Sequence, residues 1–326
     1  MIKWGVLGTG KIVNKFLKDF QFASGGKLEA VASRNLSRAQ EVAEEYGNAK
    51  AYGSYEELMA DKSVDVIYIG TPHHLHYENT LQCLEAGKAV LCEKPLSVNA
   101  DMVKKMFEKA EAHRTFLMEA MWTYFLPPIL VAQQWVKEEE IGEVKMIKAD
   151  FGFKGTFDPN HRLFNPEMAG GALLDVGIYP IALALLFANS NTKSIHAHAV
   201  KSSTGVDEAN SVTIEFENKI VAHLSSSVTN QFPNKGYIYG TEGYIELPDF
   251  WQTRKAKLHK YDSDDVEEYV DAREPLGFNY EIEEVNQCLM DGRLSSKIMG
   301  EAQSLKLIKV MDEVRNQIGL KYPFEV

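Results

Sequence analysis

Residues 1–10 read MIKWGVLGTG. An apolar run, 2–7, ends on Gly8-Thr9-Gly10 and gives way to a helical pattern that begins at Lys11 and Ile12. Small residues at such a junction let the chain turn tightly and bring backbone N–H groups close to an anion at the helix N-terminus. The third glycine of G-x-G-x-x-G is missing, Val13 standing in its place, so the motif alone reads as an ordinary glycine turn as readily as a phosphate-cradling loop. The alternation downstream decides the fold. Apolar runs at 28–32, 64–69, 89–92 and 115–118 alternate with helical patterns at about 11–22, 36–46, 54–60, 76–86 and 99–112. Ser54 and Asn99 precede helices and Gly47 and Gly87 follow them. A pattern of this kind implies right-handed βαβ units, and therefore an α/β domain built on a doubly wound parallel sheet.

After Pro127-Pro128 the pattern changes. A helix near 129–138 leads to a strand at 143–153, a polar loop, a helix from about Asp175, and then β-like runs at 194–201, 211–217, 220–227, 236–239, 244–247, 257–261 and 266–270. Consecutive strands predict a large, mostly antiparallel sheet, and helical patterns at 278–291 and 298–317 close the chain. The expectation is a dinucleotide-binding domain over 1–120 and an α+β domain over 121–326.

Length and composition agree: 326 residues suit two domains, and 45% hydrophobic with 25% charged residues is ordinary for a globular chain. A net charge of −11 weighs against broad attraction to nucleic acid or anionic membrane and leaves small molecules as the expected partners. The N-terminus enters a strand at once, without a basic and apolar leader, and no later stretch reads as apolar enough to span a bilayer. Cys83, Cys92 and Cys288 are scattered without CxxC spacing. The expected compartment is the cytoplasm.

Four further stretches carry candidate chemistry. LEAVASR, 28–34, ends in Ser33-Arg34 where an acidic residue would contact an adenosine ribose. A hydroxyl and a guanidinium suit the 2′-phosphate of NADP instead, and Arg38 adds a second charge; the competing reading is a solvated basic helix start. Gly70-Thr71-Pro72-His73-His74-Leu75-His76 comes directly after the 64–69 strand, at the carboxyl edge where such sheets bind ligands. Adjacent imidazoles on a loop seldom converge on one ion and no cysteine lies nearby, so Thr71, Pro72, His73 and His76 are read as lining the cofactor, with no metal.

VLCEKPLS, 90–97, delivers Glu93-Lys94-Pro95 to another strand end. A lone lysine there would ordinarily be solvated; in a sheet that binds a nicotinamide its ammonium is placed to stabilise alkoxide charge or depress a neighbour's pKa, with Glu93 to orient it. In GGALLDVGIYP, 170–180, Asp175 and Tyr179 stand at i, i+4 and share a face if a helix runs through them. Pro180 has no N–H, which predicts that it lies in a first turn and sets both residues near the helix's positive end. Standing alone, the segment would read as a capping Asp and a packed core Tyr.

In this order these residues resemble the Gfo/Idh/MocA oxidoreductase family, whose marks are the N-terminal glycine loop, Glu-Lys-Pro at a strand end, and Gly-Gly-x-x-x-Asp-x-Gly-x-His/Tyr. The resemblance covers essentially the whole chain and is nearest to the dimeric dihydrodiol dehydrogenases, through ASRNLSRAQEVAEEYG, AYGSYEELMAD, AGKAVLCEKPLSVNA and FLMEAMWTYFLP. It implies a Rossmann domain, then a substrate domain whose open sheet mediates assembly into a dimer or tetramer, with NADP(H) preferred over NAD(H). It also implies Lys94 and Tyr179 as the catalytic pair with Asp175 in the substrate pocket. Trp122, Phe151, Trp251 and Phe278 match its pocket positions, Trp122 next to the cofactor as well. One departure is Tyr124, where that subgroup usually carries Arg.

The activity so implied is reversible hydride transfer between nicotinamide and an alcohol carbon of a cyclic diol, sugar or polyol. An aldose dehydrogenase or reductase would use the same groups. A non-catalytic NADP-binding sensor is the alternative from another class, and it has no need of a proton acceptor.

Overall fold

The computed structural model describes residues 1–325. The alternating first part of the chain forms β1 (Ile2–Leu7), α1 (Lys11–Phe20), β2 (Gly26–Ala32), α2 (Leu36–Glu45), β3 (Lys50–Tyr52), α3 (Tyr55–Ala60), β4 (Val66–Ile69), α4 (His76–Glu85), β5 (Ala89–Glu93), α5 (Ala100–His113) and β6 (Leu117–Ala120). The sheet order is β3-β2-β1-β4-β5-β6, every pair parallel. This is the doubly wound order whose direction reverses between β1 and β4, so the loops after those strands open at the carboxyl edge.

The local signals act as expected. Asn35 and Asn99 accept the N–H of Arg38 and Met102, and Ser54 forms a capping box with Glu57. Strands β4, β5 and β6 are buried along their whole length, as a sheet with helices on both faces requires. Strand β3 was not foreseen, because Lys-Ala-Tyr has no apolar run and lies at the sheet edge.

The second part forms α6 (Pro127–Lys137), β7 (Val144–Gly152), α7 (Ile178–Ala188), β8 (Thr192–Lys201), β9 (Asp207–Phe216), β10 (Val221–Ser227), β11 (Lys235–Gly240), β12 (Gly243–Pro248), β13 (Lys255–Lys260) and β14 (Val266–Val270), then α8 (Phe278–Met290) and α9 (Glu301–Ile318). Its sheet runs β14-β13-β12-β11-β7-β10-β9-β8. Neighbours are antiparallel except β7 and β10, which are parallel and joined by a long crossover through α7, β8 and β9. Helix α7 packs on β7, β10 and β11. In β11 the alternation is plain: Gly236, Ile238 and Gly240 are buried, Lys235, Tyr237 and Tyr239 half-exposed.

One expectation fails here. Pro166–Ala188 is long and apolar enough to cross a membrane by length and composition, though no stretch was expected to be. Its apolar window is 94% buried within the fold, so its hydrophobicity serves the protein core.

Two compact units result: Met1–Phe125 with Glu274–Leu305, and Leu126–Arg273 with the residues from Lys306 onward. A single boundary near residue 120 does not describe this division, because α8 returns to the first unit. Asp19, at the end of α1, accepts the N–H groups of Leu276, Gly277 and Phe278 at 3.0, 2.7 and 2.9 Å. A carboxylate on three N–H groups at a helix start is worth roughly 1–2 kcal/mol. Trp4 Nε1 donates to Asn286 Oδ1 at 2.8 Å, and Asn286 Nδ2 donates to Ser24 O at 2.7 Å. These partners stand more than 250 residues apart, beyond any periodicity reading.

Candidate active site

In the first unit the glycine turn works through an unexpected partner. Gly8 has φ +111°, and a Cβ on it would lie 3.1 Å from Gly70 O, at the end of β4. The missing third glycine is compensated at the same place: a Cβ on Gly70 would meet Val13 Cγ2 at 2.6 Å. The close helix–strand approach that the third glycine normally allows is thus given by Gly70. Helix α1 starts at Gly10 with no side-chain cap, so its first N–H groups suit an anion.

Ser33 is buried, its Oγ accepting the Asn35 N–H at 3.2 Å and lying 3.4 Å from Thr9 Oγ1. Arg34 and Arg38 are exposed. Uncapped amides at the helix start, no carboxylate at the end of β2 and two guanidinium groups beyond it fit a phosphorylated dinucleotide.

The turn after β5 is held by three neighbours. Tyr68 of β4 donates its O–H to Glu93 Oε1 at 2.6 Å, and the Lys94 N–H donates to Glu93 Oε2 at 3.2 Å. Burial and the Glu93 charge push the Tyr68 phenol well above its ordinary range. The Lys94-Pro95 peptide is cis. His76 of α4 is fully buried, with Nδ1 2.7 Å from Pro95 O and Nε2 2.8 Å from Thr71 O. Burial lowers its pKa to about 4, against the two carbonyl contacts, which favour the cation.

His76 was expected to line the cofactor; the structure makes it a strut between the loop after β4 and the turn after β5. Glu119 of β6 accepts the Leu96 N–H at 2.9 Å. Glu281 of α8 is fully buried, its two carboxyl oxygens without a hydrogen-bond partner among the described residues. Burial, then the charges of Glu93 and Asp19, raise its pKa well above the carboxylate range. Trp122 and Phe278 stack with centroids 4.4 Å apart and planes within 6°. Tyr124 is buried.

In the second unit Asp175 and Tyr179 do not share one α-helix. Asp175 lies in a π turn, Leu173–Gly177, that feeds α7, in which Tyr179 is the second residue and Pro180 the third. A proline clashes with the carbonyl four residues back, and widening the preceding turn relieves the clash. Both residues are buried. Arg162, on the loop between β7 and the π turn, donates to Asp175 Oδ1 at 2.7 Å; its side chain is 46% exposed and that of Asp175 10%. Phe151 lies 5.6 Å from the Tyr179 ring and stacks on Trp251 at 4.0 Å. Phe151, Trp251, Asp175 and Tyr179 therefore gather within this unit, as Trp122, Phe278 and Lys94 belong to the other.

The sequence reading missed Tyr68, Glu119 and Arg162. The first two had a signal, a polar group interrupting the apolar runs VIYIG and FLMEAM; Arg162 sits in a polar loop that gave none. Among the described residues no group of three or more His, Cys, Asp or Glu is arranged to hold a metal ion.

Comparison with known proteins bears on the same residues. A family profile described as "Oxidoreductase family, NAD-binding Rossmann fold" matches residues 2–121, and "GFO/IDH/MocA C-terminal domain" matches 129–246. Trans-1,2-dihydrobenzene-1,2-diol dehydrogenase of Xenopus laevis is 38% identical over 329 residues, covering 98% of this chain and 99% of that one. This chain belongs to the Gfo/Idh/MocA oxidoreductase family.

As a Gfo/Idh/MocA member it is a nicotinamide-dependent oxidoreductase. The human protein of the same name as the Xenopus relative is 34% identical, with 99% and 98% of the two chains covered. Two solved structures share the Gfo/Idh/MocA fold. A 3-ketoreductase from Actinomadura kijaniata in complex with NADP and TDP-benzene has TM-score 0.88 and 24% identity, covering 97% of this chain and 98% of that one. An aldose-aldose oxidoreductase from Caulobacter crescentus complexed with glycerol has TM-score 0.88 and 21% identity, covering 97% of each chain.

Proposed function

We propose that the protein is an NADP-preferring dehydrogenase that transfers a hydride between the nicotinamide and an alcohol carbon of a cyclic diol, with a sugar or polyol as the second reading. The observation that carries this is the coexistence, in one family member, of Lys94 at the end of β5 with Asp175 and Tyr179 on adjoining helical turns. A sensor has no use for that set. The diol is favoured by relatives named dihydrodiol dehydrogenase at 34–38% identity and by two aromatic stacks suited to a flat ring. Aromatic faces also stack on sugars, which keeps the second reading.

Bound NADP supplies the hydride acceptor. The Gly8-Thr9-Gly10 turn with Lys11 and Ile12 holds its pyrophosphate, Arg34 and Arg38 its 2′-phosphate, and Thr71, Pro72, His73, Glu93 and Trp122 border it. Tyr179 accepts the alcohol proton. A free phenol has a pKa of about 10, and an ammonium brought beside it, the part the family pattern gives to Lys94, would favour the phenolate. The same ammonium stabilises alkoxide charge as it develops. Asp175, oriented by Arg162, holds a substrate hydroxyl.

We place the protein in the cytoplasm. Its second sheet is proposed as the surface that meets another copy, supported by a half-exposed face on which Tyr237, Tyr239, Tyr244 and His259 lie side by side.

The test is titration with NADPH and NADH by fluorescence, then a panel of dihydrodiols, aldoses and polyols followed by nicotinamide absorbance. Tight NADPH binding without turnover on any of them assigns the sensor. Lys94→Met is expected to abolish turnover and retain NADPH binding; a wild-type kcat removes Lys94 from the mechanism.

A further inference from the structure

Resting on the roles given to Asp175 and Tyr179, we propose that the C-terminal segment, residues 320–325, is a positioning device for the turn that carries them, acting through Tyr322 on Gly170 and Gly171. Tyr322 is 2% exposed and donates its O–H to Gly170 O at 2.7 Å. Gly171 has φ +119°, and a Cβ on it would lie 2.3 Å from Asp207 Oδ1. Asp207 is fully buried on β9 and reaches past Gly171 to accept the N–H of Leu173, the first residue of the π turn, at 2.8 Å. Asn210 Nδ2 donates to the same carboxyl oxygen at 2.8 Å. The start of the π turn is thus pinned twice, by Asp207 from β9 and by Tyr322 from the tail. Asp175 and Tyr179 come within nine residues of the pinned carbonyl.

The tail is itself fastened. Arg315 of α9 pairs with Asp312 and Glu325 and lies over the Tyr322 ring, 4.7 Å from its centroid. The Tyr322 N–H donates to Glu325 Oε2 at 3.0 Å, and the Leu320 N–H to Arg315 O at 2.9 Å. A hydroxyl on a peptide oxygen beside two glycines matters most where the backbone has the least steric restraint of its own. Tyr322 therefore acts on Asp175 and Tyr179 through the glycine turn.

The experiment compares Tyr322→Phe, which deletes one oxygen, and Glu325→Gln, which loosens the tail, with Tyr179→Phe in the full-length protein, on whichever substrate the wild type turns over. A displacement of reacting groups by a fraction of an ångström predicts a fall in kcat of ~10-fold in Tyr322→Phe, and a smaller one in Glu325→Gln. The NADPH dissociation constant is expected to stay within twofold of wild type, and the limb of the kcat/KM pH profile that Tyr179→Phe removes should shift. A lowered melting temperature with unchanged kcat, KM and pH profile makes the tail merely structural and overturns the proposal. Full activity of Tyr179→Phe overturns instead the reading on which it rests.

Discussion

Glu119→Gln probes the charge on the scaffold beneath Lys94. Glu119 is 3% exposed, and burial raises its pKa from 4.5 to about 7, with the Leu96 N–H and the Lys94 charge pulling the other way. The unfolded chain releases this proton near pH 4.5, while the folded one keeps it to about 7. Between those values the unfolded state binds fewer protons than the native state, so stability falls as pH rises. At about 1.4 kcal/mol per pH unit the loss reaches about 3 kcal/mol above pH 7. Glutamine keeps an oxygen for the Leu96 N–H and does not titrate. Urea unfolding of both proteins, followed by tryptophan fluorescence from about pH 4 to 8, cancels the groups not coupled to Glu119 when the two curves are subtracted. The variant should gain relative to wild type through that window and level off above it. A difference that does not vary with pH, or one that grows toward acid, refutes the reasoning.

The remaining predictions concern the cofactor side. Arg34→Ala and Arg38→Ala should each weaken NADPH by ~10-fold or more and leave NADH unchanged, since a charge-assisted bond to a phosphate is worth about 1.5–3 kcal/mol. Equal losses for both cofactors in a fluorescence titration would remove the 2′-phosphate contact. Gly70→Ala should destabilise by about 1–3 kcal/mol, because its Cβ would fall 2.6 Å from Val13 Cγ2. Adding Val13→Ala should recover most of that loss in denaturant melts, and simple additivity of the two would sink the packing account.

What was legible in the sequence was what depends on neighbours along the chain. The alternation of apolar runs and helical patterns yields the parallel sheet, and Ser54 and Asn99 mark helix starts by capping them. Strand β3 escaped because an edge strand of three residues needs no apolar run. Val13 looked like a defect in the glycine motif because its compensation, Gly70, comes 57 positions later at the end of another strand. For the same reason His76 read as one of three loop histidines. Only the folded chain shows its ring between two backbone carbonyls. Asp175 and Tyr179 were found as a pair, but the π turn that holds Asp175, just before the helix of Tyr179 and Pro180, is not revealed by i, i+4 spacing.

The turn 93–96 shows why so many buried polar groups stand near one lysine. Four consecutive residues leave a strand end, and each is restrained from a different neighbour: Glu93 by Tyr68, Pro95 by His76, Leu96 by Glu119, and Lys94 by the Glu93 side chain. Such restraint fixes the backbone from which the ammonium projects. The charges nearby would undo that if all were present, for Glu93, Glu119 and Glu281 together would more than cancel one cation. Burial opposes that: it raises the pKa of Glu281 well above the carboxylate range and that of Glu119 to about 7. Glu93 accepts two donors, the Tyr68 O–H and the Lys94 N–H. The backbone that carries Lys94 is thereby held from β4, α4 and β6, and burial, acting on Glu119 and Glu281, limits how much negative charge surrounds the turn.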